Sequence, residues 1–128
     1  MERKIISTAA ILGMIAIVLG AFGAHALKKV LSIDQLSTFE TGVKYQMYHA
    51  LFLLYVGTSK TISLKVQKAI LYLVIAGTLF FSGSIYLLAT DHLIEFNSKS
   101  IGFITPIGGL LLIIAWFCLF IDFMRKKS

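Results

Sequence analysis

Cysteine, proline and acidic residues are scarce in this 128-residue chain, and each scarcity closes off a class of explanation. The single cysteine, Cys118, rules out an intramolecular disulfide, a CxxC redox pair and a cysteine-based zinc site, and reads best as a small apolar filler. Six Asp and Glu stand against twelve Lys and Arg, a formal charge of +6. A nucleic-acid partner would need those bases as a patch on a folded surface, but they stand at the ends of apolar runs, so none is expected. Catalytic signatures are missing too. The sequence has no G-x-S-x-G elbow, no phosphate-cradling GxxxxGK, no His-Glu-x-x-His and no carboxylate pair inside an apolar run. Its three histidines, His25, His49 and His92, include no close pair at helical spacing. Neither metal nor cofactor is expected, and the chain reads as non-enzymatic.

What is abundant is hydrocarbon. With 58% hydrophobic and 14% charged residues and a mean hydropathy of +0.88, the composition is that of an integral membrane protein whose first partner is the lipid bilayer. Residues 5–24, 69–89 and 103–121 form runs long enough to cross a hydrocarbon core about 30 Å thick. A weaker fourth run lies within 40-ETGVKYQMYHALFLLYVG-57. The expected architecture is one all-α domain, an integral membrane four-helix bundle with spans near 5–24, 41–58, 69–89 and 103–122. The basic start followed by 24-AHA-26 resembles a secretory signal, but an apolar run from Ile5 to Ala24 exceeds the roughly 7–15 residues of a signal core.

Four spans put both termini on one side. Arg3, Lys4, Lys60, Lys65, Lys68, Arg125, Lys126 and Lys127 share that side; Lys28, Lys29, Lys44 and Lys99 face the other, accompanied by Asp34, Glu40, Asp91 and Glu95. Because cytoplasmic loops collect Lys and Arg, both termini are expected in the cytoplasm. Ser32 and Gln35 form a capping-box pattern that starts the second helix outside the bilayer, and Thr105-Pro106 reads as cap and first position of the fourth.

In lipid, helices associate through small residues that let backbones approach. Ala9, Gly13, Ala16, Gly20, Gly23 and Ala24 fall on one face of the first span. Thr78, Ser82, Tyr86 and Ala89 make a stripe on the third, with Gly77 and Ser84 beside it, and Thr105, Gly108, Leu112, Ala115 and Asp122 share a side of the fourth. Gly13, Gly20, Gly23, Gly83, Gly108 and Gly109 are the expected packing glycines.

Ionisable and amide groups in the second span raise the functional question. Counting inward from Gly57 at about 1.5 Å per residue, His49 lies about 12 Å deep and Lys44 about 20 Å, close to the outer surface. Gly42, Gln46, His49, Leu53 and Gly57 share a face that should point into the bundle; Glu40, Lys44 and Tyr48 lie beside it, with Glu40 and Lys44 spaced for an ion pair. The candidate polar cluster is His25, Glu40, Lys44, Gln46, His49, Ser82, Tyr86 and Thr105. Ser82, Tyr86 and Thr105 are the expected partners of His49, His25 reads as a hydrogen-bonding group at the outer end, and His92 as a solvated loop residue. His49 is either a neutral structural hydrogen-bonder or a polar step in a transport path.

Together, 20-GAFGAHALK-28, 39-FETGVKYQMYHAL-51, 81-FSGSIYLLA-89 and 104-ITPIGGLLLIIAW-116 resemble the domain-of-unknown-function family 423, small bacterial membrane proteins similar to the eukaryotic transmembrane protein 256. The resemblance covers nearly the whole chain and implies four spans in the bacterial plasma (inner) membrane, with no substrate or catalytic residue to carry over. The function read from these features is self-association or an accessory role to another membrane component. A small oligomeric transporter or channel using the polar residues of span two is the alternative.

Overall fold

A computed structural model describes residues 1–93 and 101–125; of the charges counted for topology, Glu95, Lys99, Lys126 and Lys127 lie outside the described residues. Long stretches without proline let the chain run as helices. Helix α1 spans Glu2–His25 and ends in a 3-10 turn, Leu27–Lys29. The capping box then forms as expected: Gln35 N–H donates to Ser32 Oγ at 3.1 Å and Ser32 N–H to Gln35 Oε1 at 2.9 Å. It launches α2, Ile33–Thr58, which at about 1.5 Å per residue is some 39 Å long. The third span comprises α3 (Leu64–Thr78), a π-helical turn (Leu79–Gly83) and α4 (Ser84–Ala89); α5 runs Ile104–Arg125. The helix begins at Ile104 rather than Pro106, and Thr105 does not cap it. Ile104 N–H donates to the Ile101 carbonyl at 3.0 Å, while the Thr105 hydroxyl turns across to Ser84. Pro106 still costs no hydrogen bond, since first-turn N–H groups have no intrahelical acceptor.

By length and composition α1 with its following turn, the third span and α5 are each apolar enough to cross a membrane. The polar residues of α2 hold its hydropathy down, and the helix is accommodated by turning Gln46 and His49 inward. It sits centrally, against α1 on one side and the third span on the other, while α5 lies along α3 and the π turn. Ile5, Ala9, Leu53, Val56, Ile70, Val74 and Ala115 form the larger core, at the end of the bundle that carries the amino terminus. Leu27, Leu31, Phe39 and Ala89 close the opposite end.

Two seams hold the bundle. Along α1, Ala9, Ala16 and Gly23 are buried and Gly13 and Gly20 half-buried against α2, as the stripe predicted, but Ala24 is exposed. The middle of this seam has room: a Cβ on Gly13 would stand 3.7 Å from Ala50 Cβ, and one on Gly20 3.5 Å from Val43, whereas towards the ends one on Gly23 would stand 3.1 Å from the Phe39 ring and one on Gly57 2.9 Å from the side chains of Ile5 and Ile6. Between the third span and α5 there is no room. A Cβ on Gly108 would fall 2.3 Å from the backbone nitrogen of Phe81 and 2.9 Å from the Gly77 carbonyl oxygen, so main chain meets main chain at the π turn. Gly109 faces only the Phe81 ring, at 3.5 Å, and Gly83 has open space where a Cβ would go, so Gly83 is not a packing glycine.

The loop 59–63 is tied down by side chains. Gln67 Nε2 donates to the Val56 and Ser59 carbonyls at 2.9 and 3.1 Å, satisfying the end of α2. Asp122 of α5 accepts from the backbone N–H and hydroxyl of Ser63 at 3.3 and 3.0 Å, placing a carboxylate at the start of α3 where the helix dipole favours it.

Candidate functional site: the polar interior of the bundle

The buried face of α2 expected from its spacing is present: Gly42, Gln46, His49, Leu53 and Gly57 are all buried. The polar groups around it form three separate sets rather than one cluster. In the first, Gln46 links three helices. Its Nε2 donates to the Leu12 carbonyl of α1 at 2.8 Å and its Oε1 accepts the Tyr86 hydroxyl of α4 at 2.7 Å. One turn outward, Ser82 donates to the Gly42 carbonyl at 2.8 Å. Gly42 is needed there, since a Cβ would meet the Tyr86 ring at 2.6 Å.

The second set belongs to His49, and its partner is none of the three expected. Nδ1 lies 2.7 Å from the Tyr45 carbonyl one turn back, and the indole N–H of Trp116, on α5, donates to Nε2 at 3.1 Å. A carbonyl only accepts and an indole N–H only donates. The hydrogen is therefore on Nδ1, the Nε2 lone pair faces Trp116, and both ring nitrogens are engaged in the neutral tautomer. Trp116 in turn stacks on Phe52 with centroids 3.9 Å apart and planes 11° from parallel. One sequence signal could have found this pair: the only tryptophan sits mid-span, where its N–H must find an acceptor in the protein.

The third set lies at the π turn. Ser84 donates its hydroxyl to the Phe81 carbonyl at 3.0 Å, so the Ser84–Thr105 contact has Thr105 as donor. This hydroxyl pair joins α4 to α5 directly above the Gly108 crossing.

The remaining candidates stand outside. His25, Glu40 and Lys44 are exposed, Glu40 and Lys44 beside the shallow hollow they share with Gly20 and Gly23. The expected ion pair between them is not formed among the described residues. His92 is exposed but bonded, its Nδ1 lying 3.2 Å from Gln35 Nε2, which ties the loop after α4 to the start of α2. No group of three His, Cys, Asp or Glu among the described residues could hold a metal ion.

The outer wall of the His49 set is a groove of about 830 Å³ between α2 and α5, with Tyr45, Tyr48, Tyr55, Trp116 and Phe123 among its lining residues. Nearly all of its surface is aromatic or aliphatic, and it opens to the side of the bundle.

Apolar helices, glycine-mediated crossings and polar side chains hydrogen-bonded between helices define a small multi-pass membrane protein of the four-helix bundle class. The chain belongs to the family described as protein of unknown function (DUF423), whose model matches residues 19–109. It is 47% identical over 109 residues to a UPF0382 membrane protein of Staphylococcus aureus, covering 84% of each chain. It is 37% identical over 128 residues to a UPF0382 membrane protein of Haemophilus influenzae, covering 100% of this chain and 99% of that one. A third relative, the UPF0382 inner membrane protein YgdD of Escherichia coli K12, is 35% identical over 128 residues, covering 98% and 93%. No solved structure matches the chain. Like these relatives, it is a multi-pass protein of the bacterial plasma (inner) membrane.

Proposed function

We propose that this protein is a non-catalytic membrane component that works by association, with copies of itself or with another membrane protein, through the aromatic face of α2 and α5. The observation that carries this reading is Tyr48. It is 52% exposed on that face and lies ten residues, about 15 Å, inside the end of α2, in the hydrocarbon. Its hydroxyl has no hydrogen bond among the described residues. A phenol facing lipid at that depth lacks a partner, and a neighbouring polypeptide supplies one. The transport alternative has less support, because both nitrogens of His49 are already engaged within the bundle.

The test is disulfide trapping in native membranes with the chain's own thiol removed by Cys118→Ala. Tyr48→Cys should give a crosslinked species on oxidation, whereas Val18→Cys, exposed on α1, should not. A Tyr48→Cys protein that stays monomeric under the same oxidation would sink the proposal. With both termini assigned to the cytoplasm on the Lys and Arg asymmetry, reporter fusions after Arg125 and near Asp91 should report opposite sides. A periplasmic carboxy terminus would reverse the assignment.

A further inference from the structure

We infer that the groove between α1 and α3 is a binding site for one anionic phospholipid, with its headgroup at the membrane surface on the amino-terminal side. The two helices run side by side there, leaving a furrow. Its mouth, of about 510 Å³, is lined by Arg3, Lys4, Ser7, Thr8 and Tyr72. It continues past Ser7 and Thr8 into a second hollow of about 350 Å³ bounded by Ile11, Leu12, Ile75, Thr78 and Leu79. The furrow is thus cationic and hydroxylated at the surface and, Thr78 apart, aliphatic in depth, the polarity profile of a phospholipid with its phosphate outward and an acyl chain inward.

The hydroxyls carry a second sign. Thr38, Thr41, Thr58 and Thr90 each donate to the carbonyl four residues back, the ordinary local solution for a helical threonine. Ser7 and Thr8, facing the furrow, make no such bond among the described residues, and so are free to donate to phosphate or ester oxygens. Charge selects the occupant. Lys68, one turn before Tyr72 on α3, adds to Arg3 and Lys4, against the carboxylate of Glu2 beside them, while Lys65 lies in the groove on the other side of α3 with Asp122. A second copy applying the same furrow would bring like charges together, whereas an anionic headgroup neutralises them. Basic pockets between spans at a membrane surface are a recurrent mode of anionic-lipid recognition. The α1 wall of the furrow precedes the segment that matches the family model, and the site is independent of the aromatic face described above.

The experiment is native mass spectrometry of the full chain in mild detergent with added phosphatidylglycerol or phosphatidylcholine. The unaltered protein should retain phosphatidylglycerol on the order of tenfold more tightly. The double variant Arg3→Gln/Lys4→Gln should lose that preference, and Ser7→Ala/Thr8→Val should weaken it a few-fold. Lys28→Gln/Lys29→Gln, removing equal charge at the opposite end, should keep it. Equal retention of the two lipids by the unaltered protein overturns the inference, as does loss of preference in the Lys28/Lys29 variant to the same extent as in the Arg3/Lys4 variant. Displacement of the lipid by dimerisation through this face would also overturn it.

Discussion

Both seams of the bundle are built on glycine, yet they tolerate change very differently. Along α1 and α2 the neighbours of Gly13 and Gly20 are side chains at ordinary contact distance, Ala50 and Val43. At the third span and α5, Gly108 abuts the main chain of Phe80 and Phe81. A side chain can swing aside, but a hydrogen-bonded helical backbone cannot. Small residues in a stripe thus mark where helices meet without saying how closely. The first seam supplements its looser contact with the Gln46 bonds, which in lipid contribute about 0.6 kcal/mol each on average and up to about 1.7.

The largest contrast should come from adding one methyl group to each seam. Gly108→Ala should destabilise by about 3 kcal/mol or more through overpacking, while Gly20→Ala should shift stability by less than about 0.5 kcal/mol. Thermal unfolding of both variants in detergent makes the comparison, and equal transition temperatures would abolish the distinction between the seams. Next in size, Gln46→Leu leaves the Tyr86 hydroxyl and the Leu12 carbonyl without their partner and should cost about 1–2 kcal/mol; a variant as stable as the parent would mean that packing alone holds α1 to α2. His49 ties α2 to the tighter half. His49→Leu should cost about 1 kcal/mol and shift Trp116 emission to the blue as its N–H loses its acceptor, whereas His49→Gln, whose carbonyl still accepts, should preserve both. Since Trp116 is the sole tryptophan, the emission reports the surroundings of that residue alone, and unchanged emission in His49→Leu would refute the bond. The smallest effect belongs to Thr78, whose buried hydroxyl has no hydrogen-bond partner among the described residues. Thr78→Val should be neutral or stabilise by up to about 1 kcal/mol. A clear loss of stability on this change would reveal a bond to that hydroxyl.

The features legible from the sequence were those set within a single helix. The capping box, the small-residue face of α1 and the inward face of α2 follow from spacing of 3.6 residues per turn, and the structure has them. Pairings across helices were not legible, because they depend on the axial register of two rods, which no periodicity encodes. Hence Trp116 rather than Ser82, Tyr86 or Thr105 answers His49, and Ser84 rather than the helix terminus takes up Thr105. The charged pair Glu40 and Lys44 looked like part of the cluster because it shares the segment, but it sits at the exposed end of the face beside Gly42. The π turn was hidden for another reason: its residues, Leu79–Gly83, are all compatible with an α-helix, and its formation coincides with the approach of α5.

That turn carries a consequence for how the chain can change in length. A π turn accommodates one residue more than the α turn it replaces, and the connection from Thr58 to Leu64 is short and bonded at both ends by Gln67 and Asp122. Elsewhere in the third span a single-residue deletion would rotate everything beyond it by about 100° and turn the packed face toward lipid. Within Leu79–Gly83 the same deletion can be absorbed by reversion to an α turn, leaving both flanking helices in phase. The crossing point of the bundle is therefore also its splice point, the place where this membrane span can lose a residue and keep its flanking helices in phase.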